Sequence, residues 1–409
     1  MKRILVTLAV MTFACAMIAQ FSSQGVTLFL REAGVPSSTL GLVYLAAIPF
    51  TLRFVWAPFI DRYRVEGKPR FRAWILGAQT LVCVLLTALL LTDPQTDVFV
   101  IIALVGCLMV ALGTELTALG GMLAEGLSDV DYPKGASIQA AASAFAGFTL
   151  GAGVLYLLGS LGWQTVIGSL LAISLCLLVV SSTFLDFGPV APQVSRPSLL
   201  AQFSIFRRSE TRRLFLISLL ISMSVLVPFA TKSVLLIDAG FSVSDGGLIG
   251  LVLGGLFGVI GALAARPLID RLGAFRVLLA IGCLNIVIAV ALALLTLNDV
   301  GPVSITIAVL WANIAVFATF TANRSILLPL CKPGRQATDL ASFTSVEAMT
   351  FLALAGTAIS LLDSFGLSPI LFVAAFASLV GLVLGWRSAD LFNASVELAP
   401  AVDRAQSSG

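Results

Sequence analysis

The sequence predicts an all-α integral membrane protein whose twelve transmembrane helices form two pseudo-symmetric bundles of six. Three observations support this fold class: the composition, the placement of the basic residues and an internal repeat. Of the 409 residues, 59% are hydrophobic and 11% are charged, whereas soluble domains are about 45–50% apolar and about 25% charged. A soluble fold of this size could not bury so much apolar surface. The composition therefore argues against a soluble enzyme.

Apolar stretches long enough to cross a bilayer recur along the chain. A hydrocarbon core about 30 Å thick requires about 20 apolar residues of helix. We predict spans at about 5–30, 38–60, 73–92, 98–122, 136–159, 163–184, 213–236, 244–267, 276–296, 302–325, 339–361 and 367–386. The longest polar stretch follows the sixth span. The predicted units are a first bundle at 1–185, a cytoplasmic linker at 186–212, a second bundle at 213–388 and a disordered cytoplasmic tail at 389–409.

The basic residues fall almost entirely on one side of the predicted membrane. Of the 24 Lys and Arg residues, Arg31 alone falls on the opposite side, and Arg53 and Lys232 fall within spans. Cytoplasmic loops of membrane proteins carry an excess of Lys and Arg. We therefore expect a multi-pass protein of the bacterial inner membrane with both termini and the linker in the cytoplasm.

Short segments repeat between the two predicted bundles. Residues 58–63 read Pro-Phe-Ile-Asp-Arg-Tyr, and residues 267–272 read Pro-Leu-Ile-Asp-Arg-Leu. Two further pairs match in the same order at nearly the same spacing: Gly34 with Gly240, and 160–162 with 364–366. Such matches are typical of a duplicated six-helix unit, which is the parallel repeat of the major facilitator architecture.

The residue counts also exclude several kinds of chemistry. The chain has no histidine, which removes imidazole acid–base catalysis, Ser-His triads and imidazole metal sites. The six cysteines form no C-x-x-C pair and are expected to be packing residues. No glycine loop of a nucleotide site is visible, and a net charge of +3 is too small to indicate nucleic acid. We expect a monomer in the lipid bilayer that binds a small molecule, with no metal, no cofactor and no enzyme activity.

Polar and ionisable side chains inside the spans are the candidate substrate- or ion-binding residues, because such groups are costly in lipid. Gln20 and Gln24 lie on one face of the first span. Arg53 lies about 12 Å along its helix from Asp61, and Lys232 lies close enough to the outer end to snorkel. The predicted set is Gln20, Gln24, Arg53, Glu115, Lys232, Asn313 and Glu347, and Asn323 is a further candidate. Arg324 falls toward the cytoplasmic end and is left outside it.

The repeated Asp-Arg turns are candidate latch residues for one conformation. Asp61 and Asp270 each follow a proline near a cytoplasmic helix end, where a carboxylate can cap backbone N–H groups and pair with arginines. Such contacts must break when two bundles rock against each other. We therefore predict a gating role for Asp61, Arg62, Asp270 and Arg271, with topology-setting charge as the alternative.

One set of motifs resembles a particular branch of the major facilitator superfamily. Residues 30–34, 40–42 and 53–58, with Asp61 and Arg62, resemble the permeases that include the muropeptide importer AmpG, the acetyl-CoA transporters and the siderophore importers RhtX and FptX. That branch carries a basic residue, then Trp-Ala-Pro and Asp-Arg, after its second span. The resemblance covers the first bundle well and the second in general layout.

Further segments refine the resemblance. Residues 135–139 and 161–164 look like the siderophore importers of the branch. The fourth span departs from the branch pattern of two acidic residues. Glu115 stands for the first carboxylate, but Leu119 replaces the second. The resemblance therefore does not identify the substrate of this chain. It also does not imply a coupling mechanism that uses both acids.

The resemblance implies a secondary active transporter that works by alternating access, and the leading hypothesis is import of a siderophore or ferric siderophore. Arg53 and Lys232 would attract an anionic substrate, and Glu115 or Glu347 would carry any coupled proton. Import of a muropeptide or another anionic metabolite is the alternative, followed by drug or metabolite efflux. The absence of proline from 147–153 disfavours efflux. A membrane enzyme or a receptor is the alternative from a different class and is disfavoured.

Overall fold

The computed structural model describes residues 2–63, 69–150, 162–184, 205–296 and 301–406, and all regular structure in these ranges is helical. The α-helices are α1 (Lys2–Gln20), α2 (Val26–Glu32), α3 (Ser37–Thr51), α4 (Ala57–Arg62), α5 (Arg72–Leu90), α6 (Val98–Gly126), α7 (Tyr132–Phe148), α8 (Trp163–Phe184), α9 (Ser209–Asp238), α10 (Val243–Gly247), α11 (Gly254–Leu272), α12 (Ala274–Leu295), α13 (Pro302–Leu327), α14 (Gln336–Phe365) and α15 (Leu367–Gln406). Each predicted span coincides with one or two of these helices.

In the described part of the chain, ten helical stretches are long and apolar enough to cross a membrane. The second predicted span is not among them because a short 3-10 turn, Arg53–Val55, separates α3 from α4. The fifth is not among them either, since α7 is 17 residues long and 151–161 lie outside the described residues. π-helical turns at Phe21–Gly25 and Leu248–Leu253 join α1 to α2 and α10 to α11.

The backbone supports the internal repeat found in the sequence. Gly34 and Gly240 have φ angles of 85° and 87°, and Gly162 and Gly366 have φ angles of 92° and 73°. These left-handed conformations favour glycine because it lacks a Cβ. The paired glycines therefore make similar turns at equivalent positions of the two halves.

The two halves are joined at one end of the bundle, where α1 begins. We call it the basic end; it also contains Asp61, Arg70 and the loop between α13 and α14. A buried cluster at this end combines Leu5 and Leu123 of the first half with Leu327, Leu340 and Phe343 of the second. At the opposite end, the described clusters each belong to one half. The structure is therefore closed at the basic end.

Helix α7 of the first half packs tightly against α11 of the second. A Cβ at Gly255 would lie 2.5 Å from the backbone nitrogen of Phe148 and 2.9 Å from the carbonyl oxygen of Ala144. Only a glycine allows this approach. The Ser137 hydroxyl also donates to the Ala262 carbonyl at 2.8 Å between the same two helices.

The C-terminal segment differs from the predicted disorder. Helix α15 continues through 389–406 to Gln406, whereas the polar composition predicts a disordered tail from 389. This segment contains Ala, Leu, Glu and Arg, which favour a helix, and Pro400, which disfavours one. The predicted linker at 186–212 lies mostly outside the described residues, which resume at Ile205.

Candidate functional site

A cavity of about 250 Å³ lies between the two halves, toward the middle of the bundle. Its first-half wall comes from α3, the turn after α3, α6 and α7, and its second-half wall comes from α9, α13 and α14. Its polar lining residues are Arg53, Gln139, Ser143, Ser218, Ser222, Thr319, Arg324, Thr344 and Glu347. Two of the seven predicted binding residues, Arg53 and Glu347, therefore meet in this cavity.

Arg53 reaches the cavity because the second span is broken. Pro49 and Pro58 flank the 3-10 turn that contains Arg53, and proline interrupts regular helix hydrogen bonding. The Arg53 side chain is 5% exposed. Its Nη2 donates to the Thr344 Oγ1 at 2.9 Å, and its Nη1 donates to the Phe50 carbonyl at 3.1 Å. Arg53 thus connects the first half to α14 of the second.

Glu347 and Arg324 form the second-half part of the polar lining. The Asn323 Nδ2 donates to the Glu347 Oε1 at 3.0 Å. The Arg324 Nη1 lies 3.5 Å from the Gln139 Oε1 of α7, which is the limit of a hydrogen bond between the halves. Among the described lining residues, two guanidinium groups therefore share the cavity with one carboxylate. This arrangement favours an anionic ligand, since guanidinium groups bind carboxylates and phosphates in bidentate geometry.

The rest of the cavity wall is apolar and rich in aromatic rings. Phenylalanines contributed by both halves line it: Phe50, Phe215, Phe317, Phe320, Phe343 and Phe351. The Arg53 guanidinium lies 5.1 Å from the centre of the Phe50 ring, which is a cation–π distance. A ligand with an anionic group and an apolar or aromatic part would match this lining. In the described residues, no group of three or more Cys, Asp or Glu side chains is arranged to hold a metal ion.

The first-span residues lie outside this cavity. Gln20 donates its Nε2 to the carbonyl of Ser143, a lining residue of α7, at 3.3 Å, but Gln20 itself does not line the cavity. Gln24 is exposed. The π-helical turn Phe21–Gly25 lies within the predicted polar stripe. In the structure, Gln20 contacts α7 whereas Gln24 is exposed.

Two second-half candidates also lie elsewhere. The Lys232 ammonium donates to the Gly250 carbonyl at 3.3 Å and lies 4.2 Å from the centre of the Phe229 ring. Asn313 is 2% exposed and donates to the Val309 carbonyl one turn earlier in α13. Its amide packs where α11 approaches at Gly254. Both side chains make contacts typical of helix packing.

Glu115 is enclosed within the first half. It has no exposed surface, and neither carboxyl oxygen has a hydrogen-bond partner. The adjacent Leu116 lines the cavity, whereas Glu115 is not among the lining residues. Transfer of an ionised carboxylate into such an environment is very costly. The geometry therefore favours the neutral, protonated acid at this position.

Asp61, one of the predicted latch residues, caps a helix of the opposite half. Its Oδ2 accepts from the Thr338 backbone nitrogen at 2.6 Å, and its Oδ1 accepts from Ala337 at 3.3 Å. The Arg70 Nη2 lies 3.2 Å from the Asp61 Oδ1 and donates to the Gly334 carbonyl at 2.6 Å. Burial raises the pKa of Asp61 to about 6, and the Arg70 charge and the two N–H donors oppose that shift.

The repeat partner of Asp61 does not make these contacts. Asp270 is about half-exposed and lies 3.5 Å from Arg266 of its own helix. Arg271 is exposed, and the Arg62 guanidinium lies over the ring of the neighbouring Tyr63 at 5.9 Å. Among the contacts of the described residues, the first of the two Asp-Arg turns joins the halves and the second does not, so the duplicated motif is asymmetric in this conformation.

Several residues of the site are absent from the sequence-based set. Arg70 and Gln139 carry no special spacing, and their roles follow from contacts with residues more than 180 positions away. Asp339 is buried at the start of α14, where it lies 3.3 Å from Arg335 and 3.6 Å from Arg208. An acidic residue in the first turn of a span was the available signal for Asp339.

Comparison with known proteins agrees with this geometry. The sequence profile of the Major Facilitator Superfamily matches residues 4–355. The chain is 23% identical over 382 residues to the anhydromuropeptide permease of Escherichia coli strain K12, which covers 92% of this chain and 78% of the permease. It is 20% identical over 344 residues to a putative transporter AmpG 4 of Rickettsia felis, covering 79% and 81% of the two chains.

A solved structure shares the fold. A bacterial homologue of the iron transporter ferroportin in an outward-facing state aligns with a TM-score of 0.70 at 16% identity, covering 95% of this chain and 99% of that one. The predicted fold class and the resemblance to the AmpG branch are confirmed. The profile match over most of the sequence, with two helical halves around a shared cavity, shows that the chain belongs to the Major Facilitator Superfamily.

Proposed function

We propose that this membrane transporter of small molecules imports an amphipathic organic anion across the bacterial inner membrane by alternating access. The observation that carries the proposal is the cavity between the halves, where Arg53 and Arg324 face one carboxylate, Glu347, within an apolar wall. A substrate carboxylate would compete with Glu347 for the two guanidinium groups. On the predicted orientation the basic end is cytoplasmic, so the structure represents a state closed to the cytoplasm.

The first candidate substrate is an anhydromuropeptide. The relative of that name covers 92% of this chain, and the peptide part of such a molecule carries the carboxylates that the cavity would bind. The second candidate is a ferric siderophore, the leading hypothesis from the sequence. It is supported by Gln139, which lies in the segment that resembles siderophore importers and contacts Arg324 in the cavity.

We further propose that Glu115, rather than Glu347, carries a coupled proton. Glu347 has Asn323 as a hydrogen-bond donor and shares the cavity with two cations, which stabilise its charge. Glu115 has no donor for either oxygen, so it would hold its proton while buried and lose it on contact with water. Glu347 would then take part in substrate binding, and Glu115 would carry the coupled proton.

The test is uptake into proteoliposomes with an acidic exterior. Radiolabelled anhydromuropeptide and ferric siderophores of the hydroxamate and catecholate classes are offered in parallel. The expected result is accumulation of one class, with a roughly tenfold or greater loss of apparent affinity in Arg53→Gln and Arg324→Gln. Arg212→Gln removes an exposed charge and serves as the matched control. Failure of every substrate to exceed protein-free liposomes would reject the proposal.

The coupling role needs a separate assay. Glu115→Gln mimics the protonated acid, so it should retain substrate exchange across the membrane while losing accumulation driven by the pH gradient. Glu347→Gln should instead change substrate affinity in both assays. Undiminished pH-driven accumulation in Glu115→Gln would show that a group other than Glu115 carries the coupled proton.

A further inference from the structure

A second cavity lies on the outside of the first half, between α1 and α8 at the basic end. Its volume is about 270 Å³, and it has no residue in common with the cavity between the halves. The lining includes Val6, Val10 and Met11 of α1 and Val180 of α8. Val6 is 62% exposed and Val180 is 45% exposed, so the cavity is an open groove on the lipid-facing surface.

The groove is apolar along its length and cationic at one end. Lys2 and Arg3 stand at the basic end, and Met11 lies eight residues farther, about 12 Å along the helix. The hydroxyl of Ser181 donates to the Leu178 carbonyl of its own helix at 3.0 Å and so leaves the groove little polar character. An apolar cavity of this kind does not hold ordered water. In a bilayer, the hydrocarbon chain of a lipid would fill the groove.

The charges at the end of the groove select the lipid headgroup. Both Lys2 and Arg3 are exposed, and none of the described residues that line the groove is acidic. Arg72 lies close by, since its Nη2 donates to the Ser182 carbonyl at 3.0 Å. Clusters of Lys and Arg at the membrane surface attract anionic lipids, and basic pockets between transmembrane helices bind their headgroups.

We propose that this groove binds one anionic phospholipid, with the phosphate on Lys2 and Arg3 and one acyl chain along Val6, Val10 and Met11. The lipid would fill the gap between α1 and α8. Because α1 also contributes Leu5 and Leu8 to the cluster that joins the halves, the lipid would support the end of the bundle that is closed here. The proposal does not depend on the identity of the transported substrate.

The test uses the purified, delipidated full-length protein. Phosphatidylglycerol and phosphatidylcholine with identical acyl chains are titrated separately, and bound lipid is counted by native mass spectrometry alongside the thermal unfolding midpoint. We expect phosphatidylglycerol to bind at least tenfold more tightly than phosphatidylcholine. Inorganic phosphate at the same concentration should give no stabilisation, because it lacks the acyl chain. Equal binding of both lipids, no bound lipid at all, or equal stabilisation by phosphate would overturn the proposal.

Three variants locate the lipid. Lys2→Gln with Arg3→Gln should lower phosphatidylglycerol affinity at least tenfold and abolish the preference over phosphatidylcholine. Arg212→Gln with Arg213→Gln removes two exposed charges from the second half and should leave binding unchanged. Val6→Trp keeps the charges but fills the groove, so it should also lower affinity. Wild-type affinity in the Lys2 and Arg3 variant, or in Val6→Trp, would overturn the proposed placement.

Discussion

The Asp61 carboxylate accepts a hydrogen bond from the backbone nitrogen of Thr338 at 2.6 Å, although the two residues belong to opposite halves and lie 277 positions apart. Thr338 lies in the first turn of α14, whose backbone N–H groups have no partner within the helix. Asp61 therefore acts as an N-cap supplied from another helix. The positive end of the α14 dipole also favours a carboxylate here. The contact must break for the basic end to open.

Removal of the Asp61 cap should favour opening of the basic end. Asp61→Ala leaves the Ala337 and Thr338 nitrogens without their acceptor, at a cost of about 1–3 kcal/mol for each buried unpaired group. Arg70 also loses the carboxylate but keeps its carbonyl acceptors. We expect the ratio of closed to open protein to fall at least tenfold. The measurement is the distance between spin labels at Val130 and Arg276, which are exposed on the first and second halves.

Asp270→Ala is the matched control for this prediction. It changes the repeat partner, which is half-exposed and paired within its own helix. We expect its spin-label distances to match those of the unsubstituted protein. An equal effect of the two substitutions would show that the second Asp-Arg turn also joins the halves, as the sequence repeat alone suggests.

Arg70 should require its guanidinium group and not only its charge. It donates to the Asp61 carbonyl at 2.7 Å, the Gly334 carbonyl at 2.6 Å and the Gln336 Oε1 at 3.3 Å. A lysine ammonium cannot span these acceptors. We expect Arg70→Lys to shift the same spin-label distances toward the open state, whereas Arg72→Lys, whose Ser182 contact lies within the first half, should not. Unchanged distances in Arg70→Lys would show that Arg70 contributes only its positive charge.

Thr344 should orient Arg53 for substrate. The Thr344 hydroxyl donates to the Leu340 carbonyl at 2.9 Å and accepts from Arg53, so it acts as both a hydrogen-bond donor and an acceptor. Thr344→Val removes the acceptor and should raise the apparent KM for the anionic substrate about tenfold, because hydrogen bonds to charged groups contribute about 1.5–3 kcal/mol. Thr350→Val on the same helix, where the hydroxyl bonds only to Val346 in the described contacts, is the control. An identical KM in both variants would exclude this role.

Acidification at the basic end should favour the closed state through Asp61. The pKa of Asp61 is raised to about 6 in the closed state and would return toward about 3.9 on exposure to water. The proton therefore binds more tightly to the closed state. Its stabilising contribution is fully present below about pH 4 and is lost as the pH rises through 6. Closed-state spin-label distances should be more populated at pH 5 than at pH 7.

The pH effect can be assigned with one variant. Asp61→Asn keeps an oxygen that can accept from Thr338 but cannot ionise, so the distance populations should lose their dependence between pH 5 and pH 7. Persistence of the dependence in Asp61→Asn, or a dependence of opposite sign, would show that another group titrates in this range.

The membrane class, the repeat and one partner in the Asp61–Thr338 and Arg53–Thr344 contacts could be predicted from the sequence. The apolar stretches that predict the spans are local features, and lipid requires helices there because every backbone polar group must be satisfied within the segment. The same constraint makes charged residues within spans rare and therefore conspicuous, which is why Arg53 and Glu347 were identifiable. Gly34 and Gly240 marked the repeat because their backbone conformation limits the residue type.

The partners of those residues were decided only by the tertiary structure. The sequence marks Asp61 and Asp270 as equivalents. Among the contacts of the described residues, however, Asp61 caps a helix of the opposite half and Asp270 does not, because the two halves pack asymmetrically. The broken second span brought Arg53 inward. Arg70 and Arg324 resemble other basic residues in the sequence, and their roles depend on packing between segments far apart in the chain.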